Sequence, residues 1–266
     1  MDKTELILAS SCYGNPSKPA LVLLHGFLGD KQDWQALMPS LSQHFYCVCL
    51  DLPGHGNSPS ITLDKPGFIQ VSQLIEHTLA ALNVSRFHLL GYSLGGRIAL
   101  HIVQLMPDKI LSVTLESCHY GLDNQTLRDD RIQSDELWDE RLQNLTMSEF
   151  LSLWYRQGVF ADLTDDTRSQ LIKRRANNTA AGLRSIYLAT SLGQQQDLSN
   201  LPNQSASNWH YFVGKEDQKF THLAQRWQHK APITLHYFEN AGHNIHLTSS
   251  QAFCDTLTLH LLKDRT

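Results

Sequence analysis

Short apolar runs alternate with helical patterns along much of the chain. The pattern predicts strands over residues 5–9, 20–24, 45–50, 87–90, 110–115, 209–213 and 233–238. It predicts helices over residues 33–41, 68–82, 94–106, 221–228 and 249–262. Several of the strand runs lack polar alternation, as strands buried on both faces do. Strands of this kind alternating with helices predict an α/β protein with a mostly parallel sheet and helices on both faces.

The alternation stops between residues 120 and 192, where no convincing buried strand occurs. Helical patterning dominates there, and its bulky residues include Trp138, Phe150 and Trp154. A sheet interrupted by a helical insert indicates a core that carries a cap. We therefore expect the first part of the core over residues 1–119, a helical cap over 120–192 and the second part of the core over 193–266.

Composition and charge narrow the class of protein. The chain has 266 residues, of which 41% are hydrophobic, so it can form a sizeable core. Its net charge of −4 argues against nucleic-acid binding, which requires a basic face. We expect no association with membranes, because no apolar stretch is long enough to span a bilayer or to form a signal-peptide core. Five scattered cysteines predict buried thiols and a cytoplasmic protein.

The strongest candidate for chemistry is the run GYSLGG at residues 91–96, which matches the Gly-x-Ser-x-Gly pattern. It lies between a predicted buried strand and a predicted helix, which is the context of a nucleophile elbow. The turn requires small residues on both sides and exposes the Ser93 hydroxyl at a helix N-terminus, where backbone amides favour negative charge. The sequence therefore predicts an α/β-hydrolase fold with Ser93 as its reactive residue.

A serine hydroxyl needs a base, and in this fold the acid and then the histidine follow the serine along the chain. His243 lies on a glycine loop just past the last predicted strand, and Asp217 follows the preceding strand. His246 is the alternative base, although the glycine hinge favours His243. Glu216 is the alternative acid, because either neighbouring carboxylate could orient the imidazole.

Two backbone N–H groups are candidates for an oxyanion hole. One belongs to Leu94, directly after the serine, and the other to Phe27, in the loop after the strand at 20–24. We expect His25 in that loop and His55 in the loop after the third strand to be structural. No phosphate-binding glycine loop or metal-ligand cluster stands out, so we expect neither a metal nor an organic cofactor.

Arginine is concentrated in the predicted cap. Eight of the twelve arginines lie in residues 120–193, together with only one of the ten lysines. Arginine binds carboxylates through two parallel hydrogen bonds, so the bias favours a small anionic substrate. Helical pairing with the eleven acidic residues of the same segment is the alternative explanation for any one arginine. Arg97 is a separate candidate, four residues after Ser93 on the same helix face.

Longer runs of the chain are more selective than the elbow. They are GYSLGGR at 91–97, WYRQGVF at 154–160, RRANN at 174–178 and AGHN at 241–244, with a looser match at 116–122. These runs resemble the MenH family, the 2-succinyl-6-hydroxy-2,4-cyclohexadiene-1-carboxylate synthases of menaquinone biosynthesis, and the resemblance covers essentially the whole chain. It implies a lyase that eliminates pyruvate from 2-succinyl-5-enolpyruvyl-6-hydroxy-3-cyclohexene-1-carboxylate, a tricarboxylate.

The resemblance also implies roles for particular residues. Ser93, activated by its histidine, would abstract a ring proton while the oxyanion hole stabilises charge on the succinyl carbonyl. The pocket would be lined by Tyr92, Arg97, Arg131, Trp154 and Arg175. Arg128 is close enough in sequence to contest the assignment of Arg131. We expect a monomer or a weak homo-oligomer.

Two other functions remain open on the residues alone. Without the resemblance, the motifs favour a serine hydrolase, either a carboxylesterase or an enzyme that cleaves carbon–carbon bonds in keto acids. A non-catalytic receptor built on this fold is the third class, because the fold does not determine the function.

Overall fold

A seven-stranded sheet forms the centre of the computed structural model, which describes residues 6–263. Its strands are β1 (Ser10–Tyr13), β2 (Ala20–Leu24), β3 (Tyr46–Leu50), β4 (Phe87–Tyr92), β5 (Ile110–Glu116), β6 (Asn208–Gly214) and β7 (Thr234–Phe238). Their order across the sheet is β1-β3-β2-β4-β5-β6-β7. Only β1 pairs antiparallel with its neighbour, so the predicted mostly parallel sheet is confirmed.

Helices connect and cover the strands. The α-helices of the described residues are α1 (Met38–Leu41), α2 (Phe68–Ala81), α3 (Leu94–Leu105), α4 (Gln125–Asn144), α5 (Met147–Trp154), α6 (Asp165–Arg175), α7 (Ala180–Tyr187), α8 (Leu201–Gln204), α9 (Gln218–Gln228), α10 (Ile245–Thr248) and α11 (Ser250–Lys263). The predicted helix at 33–41 is a 3-10 helix over Lys31–Leu37 that continues into α1. No helix in residues 6–263 is long and apolar enough to cross a membrane.

The strand predicted at 5–9 is wrong for residues 6–9, and Glu5 lies outside the described residues. The strand forms at 10–13 instead. The N–H of Leu8 donates to Thr78 Oγ1 at 3.0 Å, and that of Ala9 donates to Ser58 Oγ at 2.9 Å. Because side-chain oxygens accept these hydrogen bonds, the two N–H groups do not pair with a neighbouring strand.

Each face of the sheet packs against its own apolar cluster, because successive side chains of a strand point to opposite faces. In β2, Leu21 and Leu23 pack in the cluster that contains Trp34 of the 3-10 helix. Val22 and Leu24 pack in the other cluster, with Ile98 of α3. The fully apolar sequence of β2 follows from this burial on both faces.

Helices α4 to α7, called the cap below, lie between β5 and β6 in the sequence and form a third apolar cluster. This cluster includes Phe150, Leu183 and Tyr187 of the cap together with Leu28 from the loop after β2. The cap therefore packs on that loop. The division of the chain at residues 119 and 192 stays a prediction.

The order of the strands positions a site at one edge of the sheet. From β2 the chain passes to β3 on one side, whereas β4 lies on the other side of β2. In open α/β sheets, ligands bind outside the carboxyl ends of the strands at such a switch point. Ser93 directly follows β4, and the loop at 25–29 directly follows β2.

Candidate active site

Ser93 lies in the strained turn expected of a nucleophile elbow. Its φ of 50° and ψ of −107° place it directly before α3, in a region that residues with a side chain rarely adopt. A Cβ atom on Gly91 would lie 2.5 Å from the Gly95 carbonyl oxygen, and one on Gly95 would collide with the Leu24 carbonyl oxygen. The close passage of β2, β4 and α3 therefore requires glycine at both positions.

The structure brings Asp217 and His243 together. His243 Nδ1 lies 2.6 Å from Asp217 Oδ2, and both side chains are buried. Asp217 is held at the start of α9, where its Oδ1 accepts a hydrogen bond from the Phe220 N–H at 3.2 Å. Glu216 is exposed, so the alternative acid does not occupy this position.

His243 also lies beside the elbow. Its ring centroid is 5.5 Å from that of Tyr92, the residue before Ser93. In residues 6–263 no hydrogen bond joins the Ser93 hydroxyl to His243. Contacts of this kind commonly tighten only when a ligand binds, so the arrangement suits a proton relay.

The alternative base, His246, pairs instead with a carboxylate that the sequence analysis missed. Its Nδ1 lies 2.8 Å from Glu116 Oε2, and its backbone N–H donates to Glu116 Oε1 at 3.1 Å. Both side chains are fully buried. Glu116 thus holds the segment that carries His243, and its only sequence signal is a carboxylate at the end of an otherwise buried strand.

The loop after β2 lies against the elbow. A Cβ atom on Gly26 would approach Ser93 Cβ to 3.4 Å. Phe27 follows Gly26, and Leu94 follows Ser93, so the two predicted oxyanion N–H groups belong to adjacent segments. This proximity is what an oxyanion hole requires.

Two buried histidines hold this loop in place, as expected. His25 Nδ1 donates to the Gly26 carbonyl at 2.7 Å, and its Nε2 accepts from the Leu52 N–H at 3.0 Å. His55 Nε2 accepts from the Leu28 N–H at 3.3 Å. Burial lowers the pKa of His55 to about 3, so this ring remains neutral and structural.

Trp154 and Tyr92, two of the predicted pocket residues, approach the same region. The Trp154 ring of the cap lies 5.1 Å from the Phe27 ring. The Tyr92 hydroxyl accepts a hydrogen bond from Asn244 Nδ2 at 2.7 Å, next to His243. Burial raises the pKa of Tyr92 well above its ordinary value, so its hydroxyl stays protonated.

Arg97 is half-buried and forms no ion pair with the described residues. Its Nη1 donates to the Thr190 carbonyl oxygen at 2.6 Å, just beyond α7. Burial, followed by the positive charge of Arg131, lowers the pKa of Arg97 to about 10. A guanidinium without a carboxylate partner, one turn after Ser93, is suited to bind an anion.

Arg97 is one of several positive groups that act on the His119 ring. Partial burial and the charge of Arg131 lower the pKa of Lys219. Burial, followed by the charges of Lys219 and Arg97, lowers the pKa of His119 to about 3. Positive charges that repel one another become more stable when an anion binds among them. The sequence analysis did not include Lys219 among the site residues. Its only sequence signal is its position two residues after Asp217.

Most cap arginines, by contrast, have partners within the protein. Arg131 Nε donates to Asp135 at 2.9 Å, whereas Arg128, like Arg97, donates to a backbone carbonyl oxygen, that of Leu122, at 2.7 Å. The buried Arg175 donates to Asp33 Oδ2 at 2.7 Å. Burial alone would lower the pKa of Arg175, but the Asp33 carboxylate outweighs it and the pKa is raised. Arg175 therefore binds the cap to the core.

A cavity of about 540 Å³ adjoins Asp217. It is lined by the segment at 157–162, which follows α5, and by residues 216–219 at the start of α9. Its size falls within the range of small-molecule sites. The space between the cap and the candidate acid is therefore large enough for part of a ligand.

The fold and the site define a protein of the α/β-hydrolase fold. A family model described as alpha/beta hydrolase fold matches residues 19–250. MenH from S. aureus has a similar structure, with a TM-score of 0.86 and 22% identity, covering 97% of this chain and 99% of that one. An esterase from Thermogutta terrifontis reaches a TM-score of 0.84 at 17% identity, covering 97% and 94%. These structures show the fold alone.

Sequence relatives narrow the family further. The 2-succinyl-6-hydroxy-2,4-cyclohexadiene-1-carboxylate synthase of Salmonella typhimurium is 39% identical over 246 residues, which cover 92% of this chain and 94% of the relative. The protein of the same name from Enterobacter sp. strain 638 is 39% identical over 88% of each chain. The chain therefore belongs to the 2-succinyl-6-hydroxy-2,4-cyclohexadiene-1-carboxylate synthase family, and the resemblance seen in its sequence is confirmed.

Proposed function

We propose that this chain is a carbon–oxygen lyase of menaquinone biosynthesis. It eliminates pyruvate from 2-succinyl-5-enolpyruvyl-6-hydroxy-3-cyclohexene-1-carboxylate and forms 2-succinyl-6-hydroxy-2,4-cyclohexadiene-1-carboxylate. The relatives at 39% identity are named as the synthase of this product. The structural observation that carries the proposal is Arg97, a half-buried guanidinium that lacks an ion pair in the described residues and lies one turn after the elbow serine. The substrate has three carboxylates for such groups to bind.

The proposed proton transfer begins at the Asp217–His243 pair. Asp217 accepts a hydrogen bond from the Nδ1–H of His243, which leaves Nε2 able to take the proton of Ser93 Oγ. Ser93 then removes the proton from the ring carbon that bears the succinyl group. The ring double bond shifts, the carbon–oxygen bond to the enolpyruvyl group breaks, and the released enolpyruvate takes up a proton to become pyruvate. No acyl-enzyme forms.

The oxyanion hole has a defined part in this elimination. Removal of the ring proton places negative charge on the succinyl carbonyl oxygen. The backbone N–H groups of Phe27 and Leu94 donate to that oxygen in the proposed complex. Loss of one such donor typically slows a reaction by about 10²–10³-fold, so this contact supplies a large part of the rate.

Positive side chains and aromatic rings complete the proposed pocket. Arg97 and Arg131 bind substrate carboxylates, and Lys219 adds a third positive charge nearby. Tyr92, Trp154 and Arg175 are proposed as further pocket residues. Trp154 would cover the substrate from the cap, since its ring already packs on Phe27 of the oxyanion loop.

We also propose a small anionic substrate, a cytoplasmic location and a monomer or weak homo-oligomer. The cysteines support the reducing compartment, because all five are free thiols and four of them are buried.

The test measures two reactions with the same purified enzyme. Pyruvate release from the enolpyruvyl substrate is followed with lactate dehydrogenase, and hydrolysis of a p-nitrophenyl ester is followed in parallel. Fast pyruvate release with negligible ester turnover supports the lyase. Fast ester turnover without pyruvate supports a serine hydrolase, the second candidate, because a serine served by the Asp217–His243 pair suits both reactions. Binding of the substrate without turnover of either compound would indicate a receptor.

A further inference from the structure

Three histidine side chains meet in a part of the fold that the proposed reaction does not use. His210 lies on β6, His236 on the edge strand β7 and His260 in the last turn of α11. The centroids of the three rings are 4.2 to 5.3 Å apart. One ring nitrogen from each residue lies within 4.8 Å of the other two. Three elements that are distant in sequence thus place three imidazoles around one point.

The cluster lies away from the candidate active site. His210 is four residues before the end of β6, which corresponds to about 13 Å of strand at ~3.3 Å per residue. Ser93 and Asp217 lie beyond the carboxyl ends of the strands. The three rings instead lie where the last turn of α11 meets β6 and β7. A group bound among these rings would therefore not touch the substrate.

The spacing of the nitrogens suits a metal ion. His210 Nδ1 lies 3.2 Å from His236 Nε2. Two nitrogens bound to one tetrahedral Zn²⁺ at ~2.0–2.1 Å lie about 3.3–3.4 Å apart. The same separation also fits an N–H···N hydrogen bond between the two rings. The third imidazole distinguishes this cluster, because three ring nitrogens at this spacing can surround one ion.

The third ring can complete such a site. His236 and His260 are half-buried, whereas His210 is only 5% exposed. The nitrogens are up to 4.8 Å apart, about 1.4 Å more than in a formed site, and a change of the half-exposed His260 rotamer can close the difference. The partial exposure also provides a path of entry for an ion.

We propose that His210, His236 and His260 form a Zn²⁺-binding site with water as the fourth ligand. Imidazole is a preferred ligand of Zn²⁺ in proteins. The bound ion ties the edge strand β7 and the C-terminal turn of α11 to β6. Its role is structural, because it joins these elements and lies away from the substrate. Strand β6 leads to Asp217 and β7 leads to His243, so the ion would stabilise the strands that carry both residues.

The test titrates chelator-treated, dialysed protein with Zn²⁺ in a calorimeter. The unmodified chain should bind one ion, and His236→Gln and His260→Ala should each weaken binding at least tenfold. His77→Ala is the matched control, because His77 is an exposed histidine on α2 outside the cluster, and it should bind as the unmodified chain does. Circular dichroism shows that each variant is folded.

Thermal unfolding provides the second measurement. Because an ion that binds only the folded state stabilises it, saturating Zn²⁺ should raise the melting temperature of the unmodified chain and of His77→Ala but not of His260→Ala. Absence of Zn²⁺ binding, or equal affinity in His260→Ala and the unmodified chain, would overturn the proposal. Pyruvate release is recorded separately, so failure here leaves the proposed reaction untouched.

Discussion

The carboxyl edge of the sheet and the cap contribute to the candidate site in different ways. At the sheet edge, Ser93, Asp217 and His243 each follow a strand or lie at the start of a helix, so the connectivity of the chain determines their positions. In the cap, Arg131 and Arg175 are held by contacts between side chains, with Asp135 and Asp33. Residues placed by the backbone can be assigned from a motif, whereas residues placed by ion pairs cannot.

The cap arginines illustrate the second case. Their number suggests an anionic substrate, yet most of the cap arginines already form ion pairs within the protein. Arg97, a half-buried arginine without an ion pair in the described part of the chain, belongs to the core helix α3. The comparison therefore predicts large losses of activity at the sheet edge and losses of stability at the cap ion pairs.

Asp217→Asn should have one of the two largest effects, together with Ser93→Ala. Asparagine cannot stabilise a positively charged His243 ring, so pyruvate release should fall by about 10³–10⁴-fold with the fold intact. The matched control is Glu216→Gln, an exposed neighbour that should retain its rate within about twofold. A large loss in Glu216→Gln with little change in Asp217→Asn would exchange the two assignments.

Asp33→Ala tests the link between cap and core. It leaves Arg175 buried without its carboxylate, which should lower the free energy of unfolding by about 3–5 kcal/mol in urea denaturation. The control is Asp165→Ala, whose fully exposed carboxylate pairs with Arg168, and it should change little. Equal stabilities of the two variants would contradict the structural role given to Arg175.

The same ion pair predicts a dependence on pH. Burial raises the pKa of Asp33, but the Arg175 charge outweighs this effect, so its folded-state pKa lies below the ordinary value. The pair therefore stabilises the protein fully above the unfolded-state pKa of about 3.9, and the contribution is lost as the pH falls through the folded-state pKa. The difference in stability between the unmodified chain and Asp33→Asn should shrink as the solution is acidified below about pH 4. A difference that stays constant there would argue against the charged pair.

Arg97→Ala should act mainly on substrate binding. Loss of one charged hydrogen bond of about 1.5–3 kcal/mol corresponds to a rise in KM of roughly 10–100-fold. Arg128→Ala and Arg131→Ala, measured beside it, decide which of those two arginines also binds substrate. An unchanged KM in Arg97→Ala would remove the observation on which the proposed function rests.

The smallest effect is expected for Arg141→Ala on the exposed face of the cap. The Arg141 guanidinium lies 4.4 Å above the Trp138 ring and forms no ion pair with the described residues. An exposed cation–π contact contributes about 0.5–1 kcal/mol, so stability should fall slightly and kinetics should not change. A large rise in KM would mean that the cap arginines act more alike than the structure indicates.

Much of the fold could be predicted from the sequence, because six of the seven strands coincide with the apolar runs from which strands were predicted. The elbow could also be predicted from the sequence, because backbone contacts close to Ser93 require its glycines. The first strand was misplaced because side-chain oxygens of Ser58 and Thr78 satisfy the backbone there. No local pattern shows which side chains a distant segment supplies.

The same limit explains which site residues the sequence did not reveal and which it left as alternatives. The Arg175–Asp33 ion pair joins residues 142 positions apart, and the Glu116–His246 pair spans 130. Asp217 and Glu216 are adjacent in sequence, yet only the start of α9 decides which carboxylate is turned towards His243. Periodicity predicts faces of helices and strands, but these pairings depend on the packing of the whole chain.

The most direct test of the central claim, that Ser93 takes the ring proton, is the rate of pyruvate release by Ser93→Ala. Loss of a positioned general base slows a reaction by about 10²–10⁴-fold, and we predict a fall of that size with substrate binding retained. Ser152→Ala, which removes a hydroxyl that donates to the Ser148 carbonyl oxygen in the cap, should keep the normal rate. A normal rate of pyruvate release by Ser93→Ala would contradict the account.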